Sequence, residues 1–446
     1  MKDSTLPDFT ICRLGPPRYA SPMQLSHIMG DLIANFVADE ERILYDESLS
    51  SIRKYLERGI DPPAFEAAGP RDRIYFKPED VTAAIVTCGG LCPGLNDVIQ
   101  GIVQSLYFHY GVRRILGIRY GFKGLVENSG LEPIPLDPAA VNQIHTRGGT
   151  MLGSSRGPQP VEAMVDFMVR RGINLLFTIG GDGTQRGAMA LVEEIQKRKL
   201  EIAVIGVPKT IDNDVLFVEK SFGFETAYSV ATTVLLSAHA EAVGACNGIA
   251  IVKLMGRESG LLTATAAVAS GEVNFTLVPE VPFDLDPPNG FLAALERRIL
   301  KRHHALVVVA EGAGQDLITK GSAERERDAS GNPKLADIGG FLQERVKTYF
   351  KDRGIEAVVR YIDPSYMVRS LQAFPSDRMY CLRMAHAAVH AAMSGRTGML
   401  VGSWKSQLTH VPIEAVVTGR KSLDPESDLW LSVLESTGQP NRMVNP

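Results

Sequence analysis

Short apolar runs of four to six residues recur along the chain from Val81 onward, and longer amphipathic stretches separate them. The runs are too short for ordinary helices and do not alternate with polar residues, so each predicts a strand that is buried on both faces. They occupy residues 83–87, 175–179, 203–207, 249–254, 275–278, 305–310 and 357–361. Helices are predicted at 97–109, 161–171, 188–199, 226–241, 291–302 and 338–351. Strands that alternate with helices in this way predict a doubly wound α/β fold.

The two ends of the chain and one internal stretch depart from this alternation. Residues 1–80 lack it and contain several prolines, so they predict an N-terminal extension that packs on the core or on a neighbouring subunit. Within this extension we expect helices at about 23–36 and 49–58. Residues 312–336 are polar and punctuated by glycine, which predicts an exposed loop. The residues after Lys421 have little pattern.

Composition narrows the classes of protein to consider. A chain of 446 residues is too long for one small core, so two domains are expected. The net charge of −4 gives no reason to expect nucleic acid or an anionic membrane as a partner. Five scattered cysteines without metal spacing indicate a reducing compartment. The sequence contains neither an N-terminal apolar segment of the secretory type nor a run of 18 apolar residues, so we expect a cytoplasmic protein without a membrane span.

Two glycine-rich turns follow predicted strands and precede predicted helices. The first reads GGLCPGLN from Gly89, and the second reads TIGGDGTQRG from Thr178. Ligands in doubly wound sheets bind at the carboxyl ends of strands, and bare N–H groups at a helix N-terminus attract phosphate. Asp182 in the second turn makes sense beside a phosphate only if a cation lies between them, which makes Asp182 a magnesium candidate. The alternatives are plain turns, with Asp182 as a cap.

A second acid-bearing segment, PKTIDND from Pro208, follows the next predicted strand. Asp212 and Asp214 flank Asn213, and Lys209 lies nearby. One carboxylate is suited to take a proton from a hydroxyl group, and the other to hold a metal ion or to orient the first. The alternative is an Asx-rich turn whose carboxylates lie in water.

Four arginines near glycines or strand ends are candidates for binding anions. Arg156 ends GGTMLGSSR, and Arg257 lies in MGRESG just after a predicted strand. An arginine in such a place can neutralise charge on a transferring phosphoryl group. Arg360 and Arg369 lie on either side of Tyr366 and are suited to clamp an anion. The alternative for each arginine is an ordinary surface ion pair.

Taken together, these motifs resemble those of the phosphofructokinase family, from about Val81 to Gly419. In their order they look most like those of the ATP-dependent enzymes of plants and trypanosomatids. The resemblance implies two doubly wound, Rossmann-like α/β domains with the active site in the cleft between them. It also implies an N-terminal extension (1–80), a nucleotide-binding domain (81–223 plus 369–418), a sugar-phosphate-binding domain (224–368) and a C-terminal tail (419–446).

The resemblance also implies roles for individual residues. The nucleotide would be bound by Gly89, Gly90, Arg156, Gly157, Gly183, Thr184 and Gly187, and the metal ion by Asp182. The catalytic group would comprise Asp212 as the base, with Thr210, Asp214, Arg257 and Lys209. The sugar phosphate would be bound by Thr210, Ile211, Asp212, Met255, Gly256, Arg257, Glu311, Arg360, Tyr366 and Arg369.

Three positions depart from the pattern of the short bacterial members of the family. Leu91 stands where those enzymes have aspartate, Tyr366 where they have histidine, and Gly248 where they have a second substrate arginine. Phosphate must therefore be held partly by other groups, and an allosteric site cannot be carried over.

Two positions bear on the phosphoryl donor. Pyrophosphate-dependent relatives have aspartate after the metal aspartate, where this chain has Gly183, and glycine leaves room for the α-phosphate of ATP. The same relatives have lysine before Thr-Ile-Asp, as this chain does at Lys209. Gly183 therefore favours ATP, and Lys209 keeps pyrophosphate open as the alternative.

The reaction implied is transfer of the γ-phosphoryl group of Mg²⁺-ATP to the 1-hydroxyl of fructose 6-phosphate, in glycolysis. The partners implied are these two substrates and further copies of the chain, as a dimer or tetramer in which Arg360 reaches a neighbouring subunit. The alternatives are a pyrophosphate-dependent enzyme, an NAD or lipid kinase that shares the Gly-Gly-Asp-Gly turn, and a catalytically silent regulatory paralogue.

Overall fold

The computed structural model describes residues 7–319 and 334–446. The chain divides into two compact units, each built from three segments. Unit 1 contains Met1–Thr210, Val215–Gly223 and Leu371–Arg420, and unit 2 contains Ile211–Asp214, Phe224–Ser370 and Lys421–Pro446. Among the described residues, no helix combines the length and apolar character needed to cross a membrane.

The strands in chain order are β1 (Tyr19–Ala20), β2 (Arg42–Leu44), β3 (Ala64–Ala67), β4 (Arg73–Ile74), β5 (Thr82–Thr87), β6 (Arg114–Ile118), β7 (Ile134–Pro135), β8 (Leu175–Gly180), β9 (Ala203–Pro208), β10 (Gly248–Leu254), β11 (Phe275–Leu277), β12 (His304–Ala310), β13 (Val359–Ile362), β14 (Met399–Trp404) and β15 (Gln407–Pro412). The α-helices are α1 (Leu49–Glu57), α2 (Leu95–Gln104), α3 (Val161–Arg170), α4 (Asp182–Lys197), α5 (Phe224–Val243), α6 (Leu261–Ser270), α7 (Phe291–Arg302), α8 (Gln315–Ile318), α9 (Ile338–Asp352), α10 (Pro375–Met393), α11 (Ile413–Val416) and α12 (Asp428–Thr437).

Unit 1 is organised around a nine-stranded sheet in the order β2-β3-β15-β14-β9-β8-β5-β6-β7. The five strands from β14 to β6 are parallel, and antiparallel strands complete both edges. Every residue of β5, β8 and β9 is buried, as their apolar sequences predict. The chain runs from β5 outward to β6 and then returns to β8 on the other side of β5. Strand order therefore reverses between β5 and β8, where doubly wound sheets bind their ligands.

Unit 2 contains a parallel four-stranded sheet in the order β11-β12-β10-β13. Its main core packs strand residues such as Ile251 and Val307 against helix residues such as Phe291 and Leu342. A smaller cluster joins Ala264 and Val278 to Leu423, Trp430 and Val433. Both units thus confirm the predicted doubly wound α/β class.

The predicted central strands and most predicted helices are confirmed to within a few residues. Helix α4 begins earlier than predicted, at Asp182, and α2 ends at Gln104, where a π-helix, Ser105–Tyr110, follows. The stretch after Lys421 contains α12, which its weak pattern did not predict. The predicted loop at 312–336 contains the short helix α8, and residues 320–333 of it lie outside the described residues.

The helix predicted at about 23–36 is wrong. This segment consists of turns and bends, with Leu32 at a φ of 65° and one isolated bridge between Ser26 and Asn35. The side chain of Ser26 accepts a hydrogen bond from the Ile28 N–H, and the side chain of Asp31 accepts one from the Ile33 N–H. Such local side-chain bonds compete with the helical hydrogen-bond ladder. Elsewhere in the first eighty residues, β2 and β3 join the sheet of unit 1.

Candidate functional site

The second glycine turn of unit 1 passes directly from a buried strand into a long helix. Strand β8 ends at Gly180 and α4 begins at Asp182, with Gly181 as the N-cap residue. A side chain at Gly180 would overlap that of Thr184, so the tight turn requires glycine there. The Gly180 carbonyl accepts hydrogen bonds from Gln185 Nε2, at 3.0 Å, and from the Lys209 N–H, at 3.1 Å. The first turn of α4 is thereby fixed at the switch point of the sheet, where its N–H groups suit an anion.

Asp182 has two carboxylate oxygens in different surroundings. Its Oδ2 lies 3.2 Å from Arg186 Nε and 3.3 Å from Arg420 Nη2. Its Oδ1 is buried and has no hydrogen-bond partner among the described residues. An anionic oxygen buried in this way is costly unless a cation or donor satisfies it. Asp182 Oδ1 therefore fits a magnesium ligand.

A metal ion at Asp182 would draw most of its ligands from outside the protein. Among the described residues there is no group of three or more His, Cys, Asp or Glu side chains that could hold a metal ion. Magnesium ions commonly take one or two carboxylates together with substrate phosphates and water. The single carboxylate is therefore typical of a site that is completed by a phosphorylated substrate.

Two glycines of α4 have opposite surroundings. A Cβ at Gly183 would meet no heavy atom within 4 Å, so the exposed face of the first turn has open space. A Cβ at Gly187 would lie 2.5 Å from the ring of Phe122, in the 3₁₀ helix Gly121–Leu125. Close packing in unit 1 therefore accounts for Gly187, whereas packing does not account for Gly183.

The first glycine turn lies against the segment that carries Arg156. Gly89 has a φ of 82°, a left-handed conformation that favours glycine. Its carbonyl accepts a hydrogen bond of 2.6 Å from Ser154 Oγ, and its N–H donates to the Ser155 carbonyl at 3.0 Å. Unit 1 thus brings together Gly89 and the segment that ends in Arg156 and Gly157, and the Arg156 side chain is exposed.

Lys209 joins the two glycine turns. Its backbone N–H bonds Gly180, as described, and its side-chain Nζ donates to the Gly90 carbonyl. The residue is buried, with 6% of its surface exposed. The ammonium group therefore holds the first glycine turn in place, a structural use that the sequence did not indicate.

The acid-bearing segment alternates between buried and half-buried residues. Ile211 and Asn213 are buried, whereas Asp212 and Asp214 are partly exposed. Asn213 has a φ of 53°, a conformation that asparagine tolerates better than most residues. In unit 2 the Asp214 carbonyl accepts a 2.9 Å bond from the Lys421 N–H, and the Asp212 carbonyl accepts a longer bond, 3.4 Å, from Ser259 Oγ. Thr210, assigned to unit 1, accepts a 2.8 Å bond from Ser221 Oγ at its carbonyl.

The ends of β10 and β12 bring Glu311 beside the segment of Met255, Gly256 and Arg257. The Glu311 N–H donates to the Leu254 carbonyl at 2.9 Å, and the next N–H donates to the Gly256 carbonyl at 3.1 Å. Gly256 has a φ of 127°, so this approach requires glycine. Burial raises the pKa of Glu311, and the nearby charge of Arg257 opposes the shift. The half-buried carboxylate of Glu311 and the guanidinium of Arg257 therefore both follow the carboxyl ends of the two central strands of unit 2.

The remaining predicted residues lie on and after β13. Arg360 forms an ion pair of 3.3 Å with Glu241 of α5, and both side chains are more than half exposed. The guanidinium of Arg369 lies 4.8 Å from the centre of the exposed Tyr366 ring, a cation–π distance. Arg360 therefore has a partner within its own unit, whereas Tyr366 and Arg369 form a surface pair.

Lys253 is a residue of this region that sequence reasoning missed. Its Nζ lies 2.8 Å from Asp363 and 3.3 Å from Asp337. Burial disfavours its charged form, but hydrogen bonds to Asp363 and Tyr361 outweigh burial and raise the pKa of Lys253 well above its usual range. Asp363 begins the loop that carries Tyr366 and Arg369, so Lys253 anchors that loop. A lysine inside an otherwise apolar strand was the available signal.

Comparisons with known proteins show the family of the chain. The family model described as phosphofructokinase matches residues 82–392. An ATP-dependent 6-phosphofructokinase from Borreliella burgdorferi is 45% identical over 98% of both chains. Another from Amycolatopsis methanolica is 47% identical over 98% of this chain and 95% of the relative. One from Trypanosoma brucei brucei is 45% identical over 85% of this chain and 77% of the relative.

Solved structures give the same fold. A pyrophosphate-dependent phosphofructokinase from Marinobacter aquaeolei superposes with a TM-score of 0.66 at 21% identity, covering 81% of this chain and 92% of the other. The Pichia pastoris phosphofructokinase superposes with a TM-score of 0.62 at 20% identity, covering 91% of this chain and 39% of the other. At these identities the likeness concerns the fold, and the sequence relatives carry the assignment to a family. The chain belongs to the phosphofructokinase family.

Proposed function

We propose that this chain is an ATP-dependent 6-phosphofructokinase of glycolysis. It transfers the γ-phosphoryl group of Mg²⁺-ATP to the 1-hydroxyl of D-fructose 6-phosphate and produces fructose 1,6-bisphosphate and ADP. The observation that carries this proposal is the 45–47% identity, over nearly the whole chain, to two relatives named for this activity. We propose the cytoplasm as its compartment.

In the proposed reaction Asp212 is the general base. Its carboxylate takes the proton from the sugar 1-hydroxyl as that oxygen forms a bond to the γ-phosphorus, and the bond from phosphorus to the bridging oxygen of ADP breaks. General base catalysis contributes about 10²- to 10⁴-fold to the rate. The half-buried position of Asp212 supports this role, because the buried Ile211 and Asn213 fix the backbone on either side of it.

Charge at the transferring phosphoryl group is neutralised by arginine in this proposal. Arg257 stabilises the phosphoryl group, and Arg156 binds the donor phosphates. Asp182, whose buried Oδ1 has no hydrogen-bond partner in the described part of the chain, would hold magnesium. Asp214 is a second candidate ligand. When bound, magnesium supplies positive charge to the phosphate oxygens and orients them.

The sugar phosphate is assigned to residues of unit 2. Glu311 accepts hydrogen bonds from sugar hydroxyls, Met255 and Gly256 line the site, and Arg369 binds the 6-phosphate. Arg360 would reach the sugar phosphate of a neighbouring subunit, in a dimer or tetramer. Its exposure supports this assignment, and its ion pair with Glu241 would have to open or be shared on binding.

Gly183 and Lys209 bear on the choice of donor. The open space at Gly183 supports ATP, whose α-phosphate needs that room. Lys209 is the residue that favours pyrophosphate by resemblance, yet its ammonium bonds the Gly90 carbonyl. A backbone role for Lys209 explains its presence without reference to the donor, so ATP is the donor we propose.

A coupled assay with fructose 6-phosphate tests the proposal directly. Formation of fructose 1,6-bisphosphate is followed through aldolase and an NADH-linked enzyme, with either ATP or pyrophosphate as donor. We expect turnover with ATP and none above background with pyrophosphate. Faster turnover with pyrophosphate would reverse the donor assignment. Binding of fructose 6-phosphate without turnover with either donor would indicate a silent paralogue, and phosphorylation of NAD or a lipid instead would indicate another kinase.

A further inference from the structure

A glutamate outside the residues assigned above bonds two backbone segments of unit 2. Glu280 lies between β11 and α7, and it is partly buried. Its Oε1 accepts hydrogen bonds from the backbone N–H groups of Gly260 and Leu423, each 2.8 Å long. Hydrogen bonds to a charged acceptor are about twice as strong as those between neutral groups. One oxygen atom therefore connects two segments that are far apart in the sequence: Gly260 and Leu423 are separated by 163 positions (423 − 260).

The first of these segments carries Arg257. Gly260 is the N-cap residue of α6, and it ends the MGRESG segment that begins at Met255. A Cβ at Gly260 would lie 2.7 Å from Glu280 Oε2 and 2.5 Å from Val278. The absence of a side chain thus lets the carboxylate approach the N-terminus of α6, where the helix dipole favours a negative charge.

The second segment supports the acidic loop. Leu423 is buried against Val278 and Trp430 in the smaller apolar cluster of unit 2. Two residues earlier, the Lys421 N–H donates to the Asp214 carbonyl at 2.9 Å. The position of the Asp214 backbone therefore depends on a segment that Glu280 holds.

A third contact joins the first segment directly to the acidic loop. Ser259, next to Gly260, contacts the Asp212 carbonyl through Oγ at 3.4 Å. These hydrogen bonds form a closed circuit that begins and ends in the acidic loop. It runs from Asp212 to Ser259, from Gly260 through Glu280 to Leu423, and from Lys421 to Asp214. Glu280 Oε1 is the one side-chain atom in this circuit that accepts two bonds.

We propose that Glu280 is a positioning residue, which keeps Arg257 and the carboxylates of Asp212 and Asp214 at a fixed separation during the phosphoryl transfer proposed above. Glu280 acts through the backbone and touches neither substrate nor reacting atoms. Because small misplacements of reacting groups can cost about 100-fold in rate, its loss should affect kcat.

Two substitutions test this role. Glu280→Leu removes both acceptor oxygens and leaves a shorter apolar side chain, whereas Glu280→Gln keeps the length and one oxygen that can accept both bonds. We expect Glu280→Leu to lower kcat by about 10- to 100-fold, while the KM for ATP changes by less than about threefold. Glu280→Gln should restore kcat to within about threefold of the wild type. Equal impairment of both variants, or wild-type kcat in Glu280→Leu, would overturn the proposal.

A matched control separates positioning from loss of local packing. Val278→Ala removes apolar contacts beside Gly260 but leaves both bonds to Glu280 in place. It should lower the melting temperature without the loss of kcat. If Val278→Ala lowers kcat as much as Glu280→Leu does, general loosening explains the effect and the positioning role is wrong.

The effect of Glu280 on the backbone can also be measured in the absence of catalysis. Amide hydrogen exchange at Gly260, Lys421 and Leu423 should accelerate in Glu280→Leu and stay near the wild-type rate in Glu280→Gln. Unchanged exchange in Glu280→Leu would overturn the proposal. An inactive wild-type chain would instead contradict the proposed function, because Glu280→Leu would still alter the exchange rates.

Discussion

At the scale of single residues, α4 shows how much the surroundings of a glycine matter. Gly183 and Gly187 lie about one turn apart, yet one faces open space and the other faces the Phe122 ring. Substitution at Gly187 would require either α4 or the Phe122 ring to shift, whereas substitution at Gly183 has no steric cost within unit 1. Of these two glycines, Gly183 is therefore the one at which a substitution can report on the ligand without disturbing the fold.

We predict that Gly183→Asp raises the KM for ATP by at least about tenfold, because like charges placed together at a phosphate site cost several kcal/mol. Gly183→Ala should retain the wild-type melting temperature or exceed it slightly, since alanine suits a helix better than glycine. Steady-state kinetics with varied ATP, together with thermal unfolding, would check both variants. Unchanged use of ATP by Gly183→Asp would show that the space argument is wrong.

Asp212 and Asp214 differ in their proposed roles, and paired substitutions distinguish them. Asp212→Asn should lower kcat by about 10²- to 10⁴-fold with little change in the KM for either substrate. Asp214→Asn should instead shift the magnesium dependence of the rate. A kcat near that of the wild type in Asp212→Asn would remove this residue from the role of general base.

Arg420 belongs to the stretch predicted to be a C-terminal tail, yet its Nη2 lies 3.3 Å from Asp182 Oδ2. We predict that Arg420→Gln weakens binding of Mg²⁺-ADP by about tenfold, because Asp182 loses a partner that holds Oδ2 and orients Oδ1. Isothermal titration calorimetry measures this without catalysis. Arg198→Gln, which removes the ion pair of the α4 C-cap residue with Asp166, is the matched control and should bind as the wild type does.

At the scale of elements, the sequence predicted what local patterns encode. Buried parallel strands such as β8 and β9 are continuous apolar runs, so their positions followed from the sequence alone. The segment 23–36 has apolar residues at helical spacing, but Ile28, Met29 and Leu32 are all more than half exposed. A helix there would gain little burial, and the side chains of Ser26 and Asp31 favour turns instead.

The candidate site residues also fall into those that a local sequence pattern predicts and those that it does not. Those within glycine-rich motifs were identifiable, because the motif fixes both backbone and chemistry. Arg420 and Glu280 were not, because each acts on a partner far along the chain. For Lys253 the sequence showed a lysine in an apolar strand but not its partners Asp337 and Asp363. Arg420 lies 238 residues from Asp182, and no periodic pattern carries such a pairing.

We predict that Lys253→Met destabilises unit 2 by about 1–2 kcal/mol. This is less than the cost of breaking a fully buried pair, because Asp337 and Asp363 are partly exposed. Loosening of the loop after Asp363 should also raise the KM for fructose 6-phosphate more than the KM for ATP. Urea unfolding and steady-state kinetics measure the two effects.

Two variants serve as controls for Lys253. Lys253→Arg keeps the positive charge and should behave more like the wild type. Lys347→Met removes an exposed pair with Glu344 and should cost less than about 0.5 kcal/mol. A stability loss in Lys347→Met equal to that in Lys253→Met would contradict the anchoring role.

At the scale of the whole molecule, buried histidines predict how stability depends on pH. Burial lowers the pKa of His390 to about 3, and its Nδ1 lies 2.8 Å from Tyr110 Oη. The unfolded chain has a histidine pKa of about 6.5, so it binds this proton more readily than the folded chain. Stability is therefore present in full above pH 6.5 and decreases as the pH falls toward 3, by about 1.4 kcal/mol per pH unit for this group.

The substitution His390→Gln removes this contribution and should flatten the fall of unfolding free energy between pH 6.5 and 4.5. Urea unfolding at several pH values measures the slope. His27→Gln replaces an exposed histidine and should leave the slope as it is in the wild type. An identical slope in His390→Gln would mean that other groups govern acid stability.

The chain changes from one unit to the other five times, after residues 210, 214, 223, 370 and 420. This path limits which hybrid genes can yield a folded protein. A single recombination between two family members at residue 224 would place β14 and β15 of one parent beside β9 and β3 of the other, since β14 pairs with β9 and β15 with β3. Inheritance of a whole unit 1 from one parent would need a crossover at every change of unit. Single-crossover hybrids should therefore survive in proportion to how well the sheet partners of the two parents match.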